Sequence, residues 1–169
     1  MAENNLLRSE AAERAQLLSD LHYDVRLDLT GAETFRTETR LRGRAGEAGA
    51  ATFLDLTAVR VESATLNGTP LADGAFDPEA GRLALTGLAA ENEIVVVAEH
   101  AYEHTGVGLH RFVDPVDGQV YLHTQFEPFD AHRVFPCFDQ PDLKATFSFS
   151  VVAPAGWEVI SNGVVVARP

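Results

Sequence analysis

Between residues 21 and 29 the chain alternates strictly. Leu21, Tyr23, Val25, Leu27 and Leu29 fall on one parity and His22, Asp24, Arg26 and Asp28 on the other. Successive strand side chains point to opposite faces, so this pattern predicts a half-buried strand. Residues 34–42 repeat it, with Phe35, Thr37, Thr39 and Leu41 opposed to Arg36, Glu38, Arg40 and Arg42, until a Gly/Ala-rich loop over 43–50 breaks it. Further strand-like runs fall at 52–56, 59–66, 82–85 and 93–102. Asn67-Gly68, Asp73-Gly74 and Asp77-Pro78 punctuate them with turn chemistry. Asp117-Gly118 predicts another hairpin, returning residues 111–113 into a strand that starts at Tyr121.

Phe147, Phe149 and Val151 then alternate with Ser148 and Ser150, and a strand over 157–160 is predicted to turn at Asn162-Gly163 into a return strand over 164–166. Only residues 9–18 have helix-forming composition, with Ser9 as the expected N-cap and Leu17 and Leu18 free to dock. The prediction is an all-β fold, a saddle-shaped or sandwich antiparallel domain with a short N-terminal helix. The chain stops at Pro169, just after the expected return strand and without a linker. That ending suggests a truncation before the last strands of the domain.

The chain has 169 residues, of which 46% are hydrophobic, enough for one domain with its own core. A formal net charge of −12, with no Lys/Arg cluster to reverse it locally, argues against nucleic acid as a partner. Cys137 is the single cysteine, which rules out an intrachain disulfide and fits a reducing compartment. The first residues carry acidic groups throughout and no apolar stretch reaches membrane-spanning length, so a cytoplasmic protein with no membrane partner is expected.

Several motifs invite chemistry and lose it on inspection. His100-Ala101-Tyr102-Glu103-His104 matches the His-x-x-Glu-His order of inverted zinc proteases. Their histidines share a metal from adjacent helix turns, whereas histidines four apart on a strand lie roughly 13 Å from one another. Bonds to one zinc are only about 2 Å each, so an exposed polar strand end is the expectation. Gly106-Val107-Gly108 lacks the helix and later acid of a dinucleotide site and predicts a turn. His110 and His123 are expected as structural groups. No serine or cysteine has a recognisable activating partner, and Cys137, between Pro136 and Phe138, is expected to be buried packing. Asp139-Gln140-Pro141-Asp142 predicts a turn of scaffold geometry.

One constellation survives. As an alternating strand, residues 121–127 put Tyr121, His123, Gln125 and Glu127 on one face and Leu122, Thr124 and Phe126 on the other. Pro128 would hold Glu127 extended at the strand tip. A carboxylate beside a neutral amide there suits an ammonium group. The competing expectation is that both line an ordinary solvated strand face.

Thr124-Gln125-Phe126-Glu127-Pro128, Phe135-Pro136-Cys137-Phe138-Asp139-Gln140-Pro141 and Lys144-Ala145-Thr146-Phe147, at their mutual spacing, resemble the amino-terminal domain of the aminopeptidase N family of gluzincin zinc aminopeptidases. The strand opening at Tyr23, Asn67-Gly68, Gly108 to Phe112 and Trp157 to Asn162 extend the likeness over most of the chain. Two positions depart from the family pattern. Gln140 stands where Phe-Asp-Glu-Pro has a glutamate, and His132 stands at the usual arginine, with Arg133 one place later.

The resemblance implies a saddle-like β domain packed on a thermolysin-like catalytic domain of the same polypeptide, with Gln125 bordering the pocket for the first side chain and Glu127 binding the free α-ammonium of peptide substrates. It also implies that zinc is held in the full-length enzyme by a His-Glu-x-x-His motif and a distant glutamate. Neither that motif nor any catalytic residue or metal ligand is found in this sequence. The chain by itself is therefore expected to be an inactive specificity domain. The alternative is a non-enzymatic β-sandwich module for protein or carbohydrate recognition.

Overall fold

A computed structural model describes residues 5–167. A short helix α1 (Arg8–Leu17) leads directly into β1 (Leu18–Asp28). The strands that follow are β2 (Thr34–Ala45), β3 (Ala51–Asp55), β4 (Arg60–Leu66), β5 (Thr69–Pro70), β6 (Phe76–Asp77), β7 (Arg82–Thr86), β8 (Glu91–Ala101), β9 (Gly108–Val113), β10 (Val120–Gln125) and β11 (Ala145–Val152). Six strands form one sheet in the order β11-β1-β2-β8-β4-β5. A smaller three-stranded sheet runs β3-β7-β6, and β9 and β10 make a separate ribbon.

The alternation seen in the sequence sorts these sheets. Tyr23, Val25, Phe35, Thr37, Thr39, Leu41, Val96 and Ala98 are buried on the inner face of the large sheet. The apolar ones among them join Leu54, Leu83 and Leu85 of the small sheet in one hydrophobic cluster. On the outer face the charged positions bond across strands. Arg42 donates to Asp24 (3.0 Å) and Glu93 (3.2 Å), and Arg60 donates to Glu99 (2.6 Å). Such exposed pairs contribute little stability singly, but together they leave that face charged. The Asn67-Gly68 turn joins β4 to β5 with positive φ at both residues (52° and 78°), as the tight hairpin requires.

The pairing of β11 departs from the antiparallel expectation, since it runs parallel to β1, with Leu21 opposite Ala145 and Asp28 opposite Val152. The preceding segment sets this direction. The Tyr23 hydroxyl accepts from the Phe138 backbone N–H (3.0 Å), and Asp55 and Cys137 exchange backbone bonds of 2.8 and 3.2 Å. These contacts hold residues 137–138 near the start of β1, and the chain enters β11 from that end.

Residues 157–160 and 164–166 form no strands, so the expected hairpin at Asn162-Gly163 is absent. No neighbouring strand within the described residues offers them a ladder, and Ile160 and Val166 are 89% and 95% exposed. Pro169 lies outside the described residues. The helix begins earlier than expected, with Leu7 rather than Ser9 at the N-cap, because the Glu10 carboxylate folds back to accept from the Leu7 N–H (2.9 Å). Leu18 is buried and Leu17 packs against the core, as expected of both.

Candidate functional site

The β9–β10 ribbon carries the candidate pair. Its register places Gln125 opposite Gly108, His123 opposite His110 and Tyr121 opposite Phe112. Leu122 and Phe126 pack on the core, Phe126 edge-on to Phe135 at 6.0 Å between ring centroids. On the opposite parity the His110 and His123 rings lie 4.8 Å apart and Phe112 and Tyr121 6.4 Å apart.

Gln125 is the last residue of β10 and is exposed. Glu127, also exposed, does not prolong the strand but opens a turn. The ladder stops because Gly108 begins β9 and nothing opposes the chain beyond Gln125. The Glu127–Pro128 peptide is cis, and the turn closes where the Asp130 N–H donates to the Phe126 carbonyl (3.0 Å). Strand parity therefore places Gln125, while the turn places Glu127. Among the described residues neither side chain has an intramolecular hydrogen bond or ion pair.

The acids around the pair are engaged. Arg133 donates through Nε to Asp130 (2.6 Å) and through Nη1 to Glu103 (3.0 Å). This arginine was noticed in the sequence only as a displaced motif position. A carboxylate three residues before it and another thirty before it gave no pattern to find.

Both departures from the family pattern lie in a buried polar cluster. The Asp55 carboxylate accepts from Arg14 (2.8 Å) and from the Asp139 backbone N–H (3.0 Å). Asp139 in turn accepts from the backbone N–H and ring Nδ1 of buried His132 (3.1 and 2.8 Å). Gln140 accepts from Arg14 Nε (3.1 Å) and donates to the Ala11 carbonyl (2.7 Å), a donation a carboxylate cannot make. Burial outweighs Arg14 and pushes the Asp55 carboxyl above its ordinary range.

The His-x-x-Glu-His run is no metal site. His100 is not the exposed strand end expected but fully buried, stacked on Phe35 at 5.2 Å. Its Nδ1–H donates to the Thr57 carbonyl (2.8 Å), so Nε2 is left to accept from the Thr37 hydroxyl (3.0 Å). Burial pushes this imidazole down to about 4. Position 100 falls on the inward parity of β8, which overrides the polarity of the side chain. His104 is exposed and bonds the Arg111 carbonyl (2.9 Å). Among the described residues no cluster of three or more His, Cys, Asp or Glu side chains could hold a metal ion. His110 accepts from the Gly106 N–H (3.0 Å), a structural use, and Cys137 is buried, as expected.

A separate apolar groove of about 950 Å³ lies between the ribbon and β11, bordered by Leu27, Leu122, Phe126, Phe147, Phe149 and Trp157. Gln125 and Glu127 do not line it.

Residues 19–168 match the family described as the Peptidase M1 N-terminal domain. The chain belongs to that family. It is 54% identical over 166 residues to aminopeptidase N of Streptomyces lividans, a match covering 96% of this chain and 19% of that protein. A probable aminopeptidase 1 of Sulfurisphaera tokodaii is 46% identical over 56 residues, 33% of this chain and 7% of that protein. The chain thus spans about a fifth of the length of the Streptomyces relative.

Among solved structures the fold resembles Legionella pneumophila aminopeptidase A crystallised with aspartic acid, at a TM-score of 0.65 and 19% identity over 79% of this chain and 16% of that one. It also resembles a Deinococcus radiodurans M1 zinc metallopeptidase mutant crystallised with a Tyr-Ser-Ala substrate, at a TM-score of 0.58 and 23% identity over 80% of this chain and 32% of that one. At such identities the likeness establishes the fold. No helix among the described residues is long and apolar enough to cross a membrane.

Proposed function

We propose that this chain is the N-terminal specificity domain of a zinc-dependent aminopeptidase, with Glu127 receiving the free α-ammonium of a peptide and Gln125 bordering the site of its first side chain. The observation that carries this reading is the contrast between acids. Asp130 and Glu103 are bound to Arg133, whereas Glu127 stands exposed at the turn with no cation of its own. An incoming ammonium therefore meets one unpaired carboxylate beside one neutral amide. In open water such a pair is weak, and it strengthens where a second surface excludes solvent.

That second surface would be a thermolysin-like catalytic domain of the same polypeptide, and the Streptomyces relative, a protein about five times as long, supports its existence. Zinc would belong there. The described residues of this chain do not fit a metal, and their part is to orient the peptide by its N-terminus so that only a terminal residue reaches the reacting centre. The single free thiol of Cys137 supports a cytoplasmic setting.

The test is hydrolysis of aminoacyl arylamides by the complete polypeptide containing this chain. Glu127→Ala is expected to cost about 2–4 kcal/mol in kcat/KM, because a desolvated charge partner is lost. An unchanged value removes the ammonium role. A complete polypeptide with neither zinc nor peptidase activity would favour the recognition-module reading.

A further inference from the structure

Arg133 sits where the two halves of the candidate site meet. Its guanidinium bonds Asp130, the residue whose N–H closes the Glu127 turn, and Glu103, which precedes β9. Glu103 is itself fixed to the ribbon, donating its N–H to the Leu109 carbonyl (2.9 Å) and accepting from the Arg111 N–H (2.8 Å). The arginine stem lies on Gly108, the residue opposite Gln125. A Cβ at Gly108 would meet Arg133 Cβ at 3.0 Å, Arg133 Cδ at 3.3 Å and Glu103 Cγ at 3.3 Å, and the Gly108 φ of +59° favours glycine. Arg133 is only 35% exposed, with its partners at 13% and 26%, so these bonds are better shielded than ordinary surface pairs.

Building on the ammonium reading, we infer that Arg133 is a positioning residue for substrate recognition: it clamps the Glu127 turn to the ribbon that carries Gln125 and neutralises the two neighbouring acids, so that Glu127 alone receives the peptide N-terminus. Its planar fork suits two carboxylates held at different points, which a point charge does not. Loss of Arg133 releases the end of the turn and leaves two uncompensated carboxylates beside it. The spacing of the amide and the carboxylate is then no longer fixed, and rival anions appear.

The experiment is steady-state kinetics of the complete polypeptide on an aminoacyl arylamide, with Glu127→Ala, Arg133→Ala, Asp130→Asn and the Arg133→Ala/Glu127→Ala double variant. Arg133→Ala is expected to raise KM about tenfold with kcat within about threefold, and Asp130→Asn to raise KM by less. In the Glu127→Ala background, Arg133→Ala should change kcat/KM by no more than about twofold, because its effect passes through Glu127. A full additive loss in that background, or a fall in kcat with KM unmoved, overturns the inference. If Arg133→Ala does not fold, Asp130→Asn decides alone, and an unchanged KM overturns it. Glu127→Ala impaired with Arg133→Ala unimpaired removes this inference only, whereas Glu127→Ala unimpaired removes the ammonium reading with it.

Discussion

Arg14, on the only α-helix of the described residues, donates to the carboxylate of Asp55 at 2.8 Å with both side chains almost wholly buried. The rest of α1 is mostly polar, and this arginine is its buried anchor to the sheets, beside the Glu10 pair with Arg82 (2.6 Å) and the Ala11 carbonyl held by Gln140 (2.7 Å). Its guanidinium lies over the Phe53 and Phe138 rings, at 4.8 and 5.6 Å from their centroids.

Arg14→Met is therefore expected to cost about 3–5 kcal/mol, because it strands a buried Asp55 without its cation. Denaturant unfolding measures the loss. Hydrogen exchange should show α1 opening well before β1.

His100 should make stability depend on pH. Its folded value of about 4 lies below the ordinary 6.5, so the unfolded chain takes up a proton that the folded chain refuses. The contribution is fully present above about 6.5, is lost as pH falls towards 4, and amounts to about 3 kcal/mol across that window. Unfolding free energies at pH 7 and pH 5 should differ by less in His100→Gln, which has no titrating ring.

Gly108→Ala is expected to destabilise by about 1–3 kcal/mol, through a positive φ and contact with Arg133. The same variant should raise KM for an aminoacyl arylamide in the complete polypeptide, whereas Gly118→Ala, at the open end of the ribbon, should leave KM unchanged.

Cys137 should resist alkylation. Burial, with Asp139 and Asp55 nearby, pushes its thiol well above the ordinary range. A thiol reagent at pH 8 should label the native protein slowly and the denatured protein at once; fast labelling of the native protein would contradict the packing described.

The first two strands of the large sheet were legible because one face is apolar and the other charged, so parity alone assigns Tyr23, Val25 and Leu41 inward. Turn chemistry fixed the Asn67-Gly68 and Asp117-Gly118 hairpins for the same local reason. The direction of β11 was not legible, since it depends on where Tyr23 and Asp55 hold a distant segment. Residues 157–166 read as a hairpin from composition, but strand propensity needs a partner edge, and none faces them among the described residues.

At the site, the alternation that placed Gln125 on the solvent face could not see that pairing stops there and that a turn takes over the placing of Glu127. The roles of Arg133 and Arg14 were not legible because their partners are brought together only by the fold. His100 misled in the other direction, a polar residue whose position outweighed its chemistry.

The pairing of Leu21 with Ala145 has a consequence for how the chain is made. The outer edge of β1 leaves the ribosome first among the strands, yet the strand that covers it is the last of the described strands to emerge. Until then a row of open backbone groups waits beside Tyr23, and a nascent chain stalled before β11 presents a sticky margin to its neighbours. Slow synthesis through the residues between the two strands should therefore favour aggregation over folding, even where every local turn has already formed.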